Sequence, residues 1–297
     1  MRYSVRQTTQ YVYEESVPSS RHIIRMQPVS RAGQDVVSQR LTIEPEPSER
    51  MEGRDFFGNH VTRIAIEGPH DRFSVTVEAN IRIVSSKAFE TDDAPSWEKT
   101  SAQALNAPAL GPDAPSHFMF PSRMVPINPA ITAYAAESFP PGRALLACVS
   151  DLNARIKSDF IYDPLATAVD TDPSHAFAWR RGVCQDFAHI MIAGLRGLGL
   201  SAAYVSGWLR TVPPEGEVRL EGADATHAWV SVWCGEKGWV GFDPTNGIRT
   251  GTDHIVLAMG RDYADVAPLD GIIWSGAGHS LGVFVDVMPV LESDIDA

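Results

Sequence analysis

Residues Thr226 to Asp243 leave little freedom of fold: they read as an antiparallel hairpin. From Thr226 to Cys234 the side chains alternate, with His227, Trp229, Ser231 and Trp233 on one face and Ala228, Val230, Val232 and Cys234 on the other. Gly235-Glu236-Lys237-Gly238 is the turn, and Trp239-Val240-Gly241-Phe242-Asp243 is the returning strand, stopped by Pro244. A hairpin centred on Glu236 sets Asp243 across from Trp229 and diagonal to His227. One centred on Gly235 sets Asp243 directly opposite His227. Either register keeps both side chains on one face and within hydrogen-bonding reach, whereas a one-residue slip would put them on opposite faces.

Upstream lies Arg181-Gly182-Val183-Cys184-Gln185-Asp186-Phe187-Ala188-His189, in which a cysteine precedes a helical run. Phe187, Met191, Leu195 and Leu198 recur at helical spacing, and Gly199 is placed to end the helix in the left-handed conformation. Cys184 thus falls in the first turn, where free N–H groups and the helix dipole stabilise negative charge. A sulfur in that position suits attack on a carbonyl. His227 would hold the sulfur as an ion pair and later protonate the leaving amine. Asp243 would accept from the other imidazole nitrogen and fix the ring. The Cys184 N–H can donate to an oxyanion, with Tyr162 the candidate for a second, substrate-contacting donor and a structural role its alternative.

Other residues carry plainer readings. His189 lies well round the helix from Cys184 and is expected to be structural; Asp186 is expected to cap its own helix. Trp229 and Trp233 read as core or shielding groups, and Cys148 and Cys234 as packing residues. His254 and His279 have no metal-ligand spacing around them, so neither a metal nor another cofactor is expected.

A chain of 297 residues has room for two domains. Residues 1–85 carry short alternating runs, among them Tyr3, Val5 and Gln7 against Arg2, Ser4 and Arg6, which predict an antiparallel β-sandwich. A proline-rich stretch at 86–126 reads as a linker, and residues 127–297 as an α+β core. In that core Asn128-Pro129 opens one helix. Leu145, Val149, Leu152, Ile156 and Phe160 mark a second, and Ser174 is placed to cap a short turn through Trp179. The last strand, Leu281 to Val287, is expected to return to the core sheet. A net charge of −12 argues against nucleic acid and anionic membrane partners. The N-terminus has no signal-peptide pattern, and the three cysteines have no Cys-x-x-Cys spacing, which together favour a cytoplasmic protein.

Gly182–His189, His227-Ala228-Trp229-Val230 and Trp239–Asn246 together resemble the bacterial transglutaminase-like superfamily, and within it a group described as cysteine proteases. Thr8-Thr9, Tyr11 and Tyr13, with Phe57-Gly58-Asn59, resemble the β-rich N-terminal region of that family. Gly260 to Val266 resembles a segment that follows its core. Gln7 departs from the pattern, which has a histidine there. The resemblance implies a papain-like core with Cys184, His227 and Asp243 as the triad, the same three residues reached above. The expected function is a cysteine hydrolase that cleaves an amide bond of a peptide or protein through a thioester. Transfer of the acyl group to an amine, as in a transglutaminase, and a non-catalytic binding module are the alternatives.

Overall fold

Burial alternates residue by residue along the first part of β1 (Arg2–Ile24), so that Tyr3, Val5 and Gln7 point inward while Arg2, Ser4 and Arg6 face water. The computed structural model describes residues 1–84, 95–211, 224–274 and 277–290. After β1 come β2 (Gln34–Glu44), β3 (Glu49–Arg54) and β4 (His60–Ile83). β4 runs antiparallel to β1, with Tyr3 against Ile81 and Tyr11 against Phe73, and both β2 and β3 pair with its other edge. Asp55 to His60 forms the tight turn between β3 and β4. These strands make one sheet rather than the two-layer sandwich expected of residues 1–85. Tyr3, Phe73 and Val75 are covered instead by Trp208, Ile255 and Leu257 from the rest of the chain.

The proline-rich stretch is not a free linker where it is described; residues 86–94 lie outside the described residues. It contains α1 (Trp97–Leu105) and a short 3-10 turn at Pro115–Phe118, and Phe118 and Val125 are fully buried. Pro115 starts that turn, where its fixed φ is favourable and its missing N–H costs nothing. The prolines thus punctuate packed structure.

Asn128 caps α2 (Pro129–Ala136) by accepting from the N–H groups of Ala130 and Ile131. In α3 (Leu145–Asp159) the predicted apolar stripe is buried, with Cys148 beside it. Then follow β5 (Ile161–Tyr162), α4 (Pro173–Trp179), β6 (Arg181–Gly182) and α5 (Cys184–Gly197). Asp172, not Ser174, caps α4: its carboxylate accepts from both the N–H and the hydroxyl of Ser174. Ser174 lies inside the helix because Pro173 takes the first helical position.

β7 (Ala202–Leu209), β8 (Ala225–Trp233), β9 (Trp239–Asp243), β10 (Ile248–Arg249) and β11 (His254–Gly260) form the second sheet, ordered β10-β9-β8-β7-β11. Phe187, Met191 and Leu195 of α5 share one core with Tyr204, Val230 and Val232 of this sheet. Burial of each such aliphatic or aromatic side chain stabilises by roughly 1.5–3 kcal/mol.

The chain ends with α6 (Tyr263–Val266), β12 (Leu269–Ile273) and β13 (His279–Val290). The last strand does not return to the core sheet. It pairs with β1, Val5 against Val287, while β12 pairs with the far end of the same strand. Among the described residues β13 meets the core sheet only at a bridge from Val285 to Asp224, just before β8, while the β11 edge of that sheet is bonded by side chains. Gln34 gives and accepts one hydrogen bond with Val256 of β11, both at 2.8 Å, and Asn59 does the same with Met259 at 2.8 and 2.9 Å. Two side-chain amides thus substitute for a neighbouring strand. Gln7 joins the two sheets as well, accepting from Trp208 Nε1 at 2.6 Å and donating to Thr9 Oγ1 at 3.2 Å. Among the described residues no helix is long and apolar enough to cross a membrane.

Candidate active site

Cys184 is the first residue of α5 and is partly exposed. Its approach is fixed by Asp186, whose Oδ2 accepts from Val183 N at 2.8 Å and from the Thr167 hydroxyl at 2.6 Å. That is the expected capping role. β6 lies parallel to β5, with Tyr162 beside Gly182, so that Tyr162 stands next to the cysteine turn. Burial, and then negative charge at Cys184, raise the pKa of the Tyr162 phenol, which therefore keeps its proton as a donor.

The hairpin is centred on Glu236, since Val230 pairs with Phe242 and Val232 with Val240. Asp243 is therefore diagonal to His227, and His227 Nε2 lies 2.9 Å from Asp243 Oδ2. The Cys184 side chain is a second hydrogen-bond partner of the His227 ring. Burial alone would lower the pKa of the ring. The hydrogen bonds to Asp243 and Cys184, together with their charges, overcome it and raise the pKa to about 9. Sulfur, imidazole and carboxylate thus meet at one place.

Asp243 is completely buried. Its Oδ1 accepts from the N–H groups of Thr245 and Asn246 at 3.0 and 3.1 Å. Its Oδ2 accepts from Asn246 Nδ2 at 2.7 Å besides His227. Burial opposes ionisation, but the donors from His227, His254 and Asn246 and the His227 charge hold the carboxyl far below its usual range.

His254 is the residue that sequence reasoning missed. Its Nε2 lies 3.1 Å from the same Asp243 Oδ2. No local spacing announces it. Its place follows from β7, on which Gly207 pairs with His227 and Leu209 pairs with His254, two residues further along the same face. Donor atoms of His227, Asp243 and His254 lie within 4.8 Å of one another, close enough to surround a metal ion. The hydrogen bonding runs against that use. Gly251 N donates to His254 Nδ1 at 3.2 Å, so the ring proton sits on Nε2 and points at the carboxylate. A metal-bound imidazole would need its other nitrogen to donate.

Trp229 shields both rings. It meets His254 edge-on at 5.3 Å and His227 at 6.2 Å between centroids. Gly207 makes this possible, because a Cβ there would stand 2.3 Å from the Trp229 ring. His189 is structural, as expected: it is buried, its Nε2 accepts from Tyr263 N at 3.2 Å, and burial lowers its pKa to about 4. Cys148 and Cys234 are fully buried, and burial raises their thiols to about 11 and about 12. Iodoacetamide near neutral pH should therefore label Cys184 at least about tenfold faster than either, as mapped by peptide mass spectrometry. Equal labelling of all three would deny Cys184 its special environment.

A family profile for the bacterial transglutaminase-like N-terminal region matches residues 3–82, and one for the transglutaminase-like superfamily matches residues 133–244, which includes Cys184, His227 and Asp243. A protein of Mycobacterium tuberculosis with no assigned function is 38% identical over 296 residues, covering 97% of this chain and 93% of the relative. The chain belongs to the transglutaminase-like superfamily. Within that superfamily it is 33% identical over 119 residues to a protein-glutamine gamma-glutamyltransferase of Pseudomonas aeruginosa, covering 38% of this chain and 18% of that enzyme. A candidate cysteine protease from Cytophaga hutchinsonii has the same fold, with a TM-score of 0.75 at 20% identity, covering 98% of this chain and 91% of that one.

Proposed function

We propose that this transglutaminase-like protein is a cysteine hydrolase that cleaves an amide bond of a peptide or protein. The observation that carries the reading is His227, 2.9 Å from Asp243 and also a hydrogen-bond partner of the Cys184 side chain. The Cys184 sulfur adds to the carbonyl carbon, and the oxyanion forms against the Cys184 N–H, with Tyr162 as second donor. His227 passes its proton to the departing amine as the C–N bond breaks, leaving a thioester. Water then attacks the thioester, losing a proton to His227, and the carboxylic acid leaves as the sulfur is restored. Asp243 holds the ring throughout and changes no bond. The partial exposure of Cys184 and the half-exposed Tyr162 give water a path to the thioester.

Acyl transfer to an amine is the second reading, favoured by the partial likeness to the Pseudomonas glutamyltransferase. A peptide library containing glutamine, incubated with a labelled primary amine, separates the two. Free acid without label in the product supports the hydrolase; predominant amine incorporation transfers the assignment to the second reading. We also propose a reducing compartment such as the cytoplasm, since all three cysteines are free thiols.

The charge on His227 sets the pH range. Its pKa is raised from the usual imidazole value, so the imidazolium persists through neutral pH and is lost as pH rises through about 9. kcat/KM should hold at neutral pH and fall along an alkaline limb near 9. A fall already complete by pH 7 would contradict the pairing.

A further inference from the structure

We propose that His254 is a positioning residue of this site, setting how firmly Asp243 holds the proton on His227, and that the N-terminal sheet fixes it there. The inference rests on the Cys184–His227 pairing above, and on neither reading of the reaction. His254 is buried, and both its ring nitrogens are engaged: Nδ1 accepts from Gly251 N at 3.2 Å and Nε2 donates to Asp243 Oδ2 at 3.1 Å. Its tautomer is thereby set. Oδ2 also accepts from His227, so the two imidazoles share one oxygen. A neutral donor at that oxygen withdraws electron density that would otherwise serve His227. The carboxylate stays ionised, yet grips the catalytic proton less tightly, which keeps His227 capable of giving it up.

The groups facing Asp243 are His227 from β8, His254 from β11 and Asn246 from its own turn. Cys184 from α5 and Trp229 from β8 face His227. His254 begins β11, the strand whose outer edge is bonded by Gln34 and Asn59, and the neighbouring Asp253 accepts from the Tyr3 hydroxyl at 2.9 Å. All three clamps come from the N-terminal region: Tyr3 from β1, Gln34 from β2 and Asn59 from the turn between β3 and β4. This gives that region a part in the site without touching substrate.

The test is the pH dependence of Cys184 alkylation by iodoacetamide in the full chain, which needs no substrate. In His254→Leu the alkaline midpoint should move up by roughly 0.5–1 pH, the equivalent of one net hydrogen bond. His254→Gln, whose side-chain amide can accept from Gly251 and donate to Asp243, should return it to the wild-type position. Folded variants that both keep the wild-type profile would overturn the proposal and leave His254 a packing residue. If His254→Leu does not fold, nitrogen NMR of the wild-type protein decides: the proposal requires the neutral ring to carry its proton on His254 Nε2, and a neutral ring with the proton on Nδ1 would overturn it. A wild-type profile with no step near pH 9 would instead sink the Cys184–His227 pairing itself, a separate failure.

Discussion

Cys184→Ala should abolish turnover, with a loss on the order of 10⁴-fold or more, while the circular dichroism spectrum and melting temperature stay as in the wild type. The side chain opens a helix and is partly exposed, so alanine removes the sulfur without leaving a buried hole, and costs the His227 ring one hydrogen-bond partner at a place that water can reach. His227→Ala should cost a comparable factor, because it removes both the partner of the sulfur and the proton for the leaving amine. Its effect on folding is softened by Asp243, which keeps His254, Asn246 and two backbone donors. Turnover of a peptide selected from the library, measured beside the wild type, gives the comparison. Small and equal losses in both variants would mean that the chemistry lies elsewhere on the molecule.

The site was legible in the sequence where local patterns determine geometry, and not where pairing between distant segments does. Alternation from Thr226 to Cys234, with one short turn, limited His227 and Asp243 to two compatible registers, and the diagonal one is found. The four- and three-residue spacing after Cys184 gave α5, since a helix that packs on several sides needs only its own periodicity. His254 had no such signal. It reaches Asp243 because β11 pairs with β7, a neighbour that no short-range pattern specifies. The same holds for β13. Its alternation shows that Leu281 to Val287 is a strand, but not that it lies along β1 and, among the described residues, meets the core sheet only at a bridge from Val285 to Asp224, just before β8. The single N-terminal sheet has a related cause: one apolar face per strand shows that a covering layer exists, without saying that Trp208 and Ile255 provide it.

Asp243→Ala should separate from the other two variants by damaging the fold as well as the reaction. The carboxylate accepts from the His227 and His254 side chains and the Thr245 N–H inside the protein, and from the side chain and N–H of the exposed Asn246, all at 2.7 to 3.1 Å. Alanine leaves these donors without an acceptor, and each buried orphan costs about 1–3 kcal/mol unless water enters. Breaking a buried ion pair by removing one partner typically costs about 3–5 kcal/mol, so a stability loss of that size is expected in chemical denaturation. The loss of turnover should be the smaller one, about 10²–10⁴-fold, because Asp243 orients the imidazole and takes part in no bond change. Asp243→Asn should not rescue the fold fully. Both carboxylate oxygens face donors, so whichever position the amide NH₂ takes, it confronts N–H groups and not an acceptor. A variant that loses activity with unchanged denaturation would show that Asp243 is not the shared acceptor on which His227 and His254 converge.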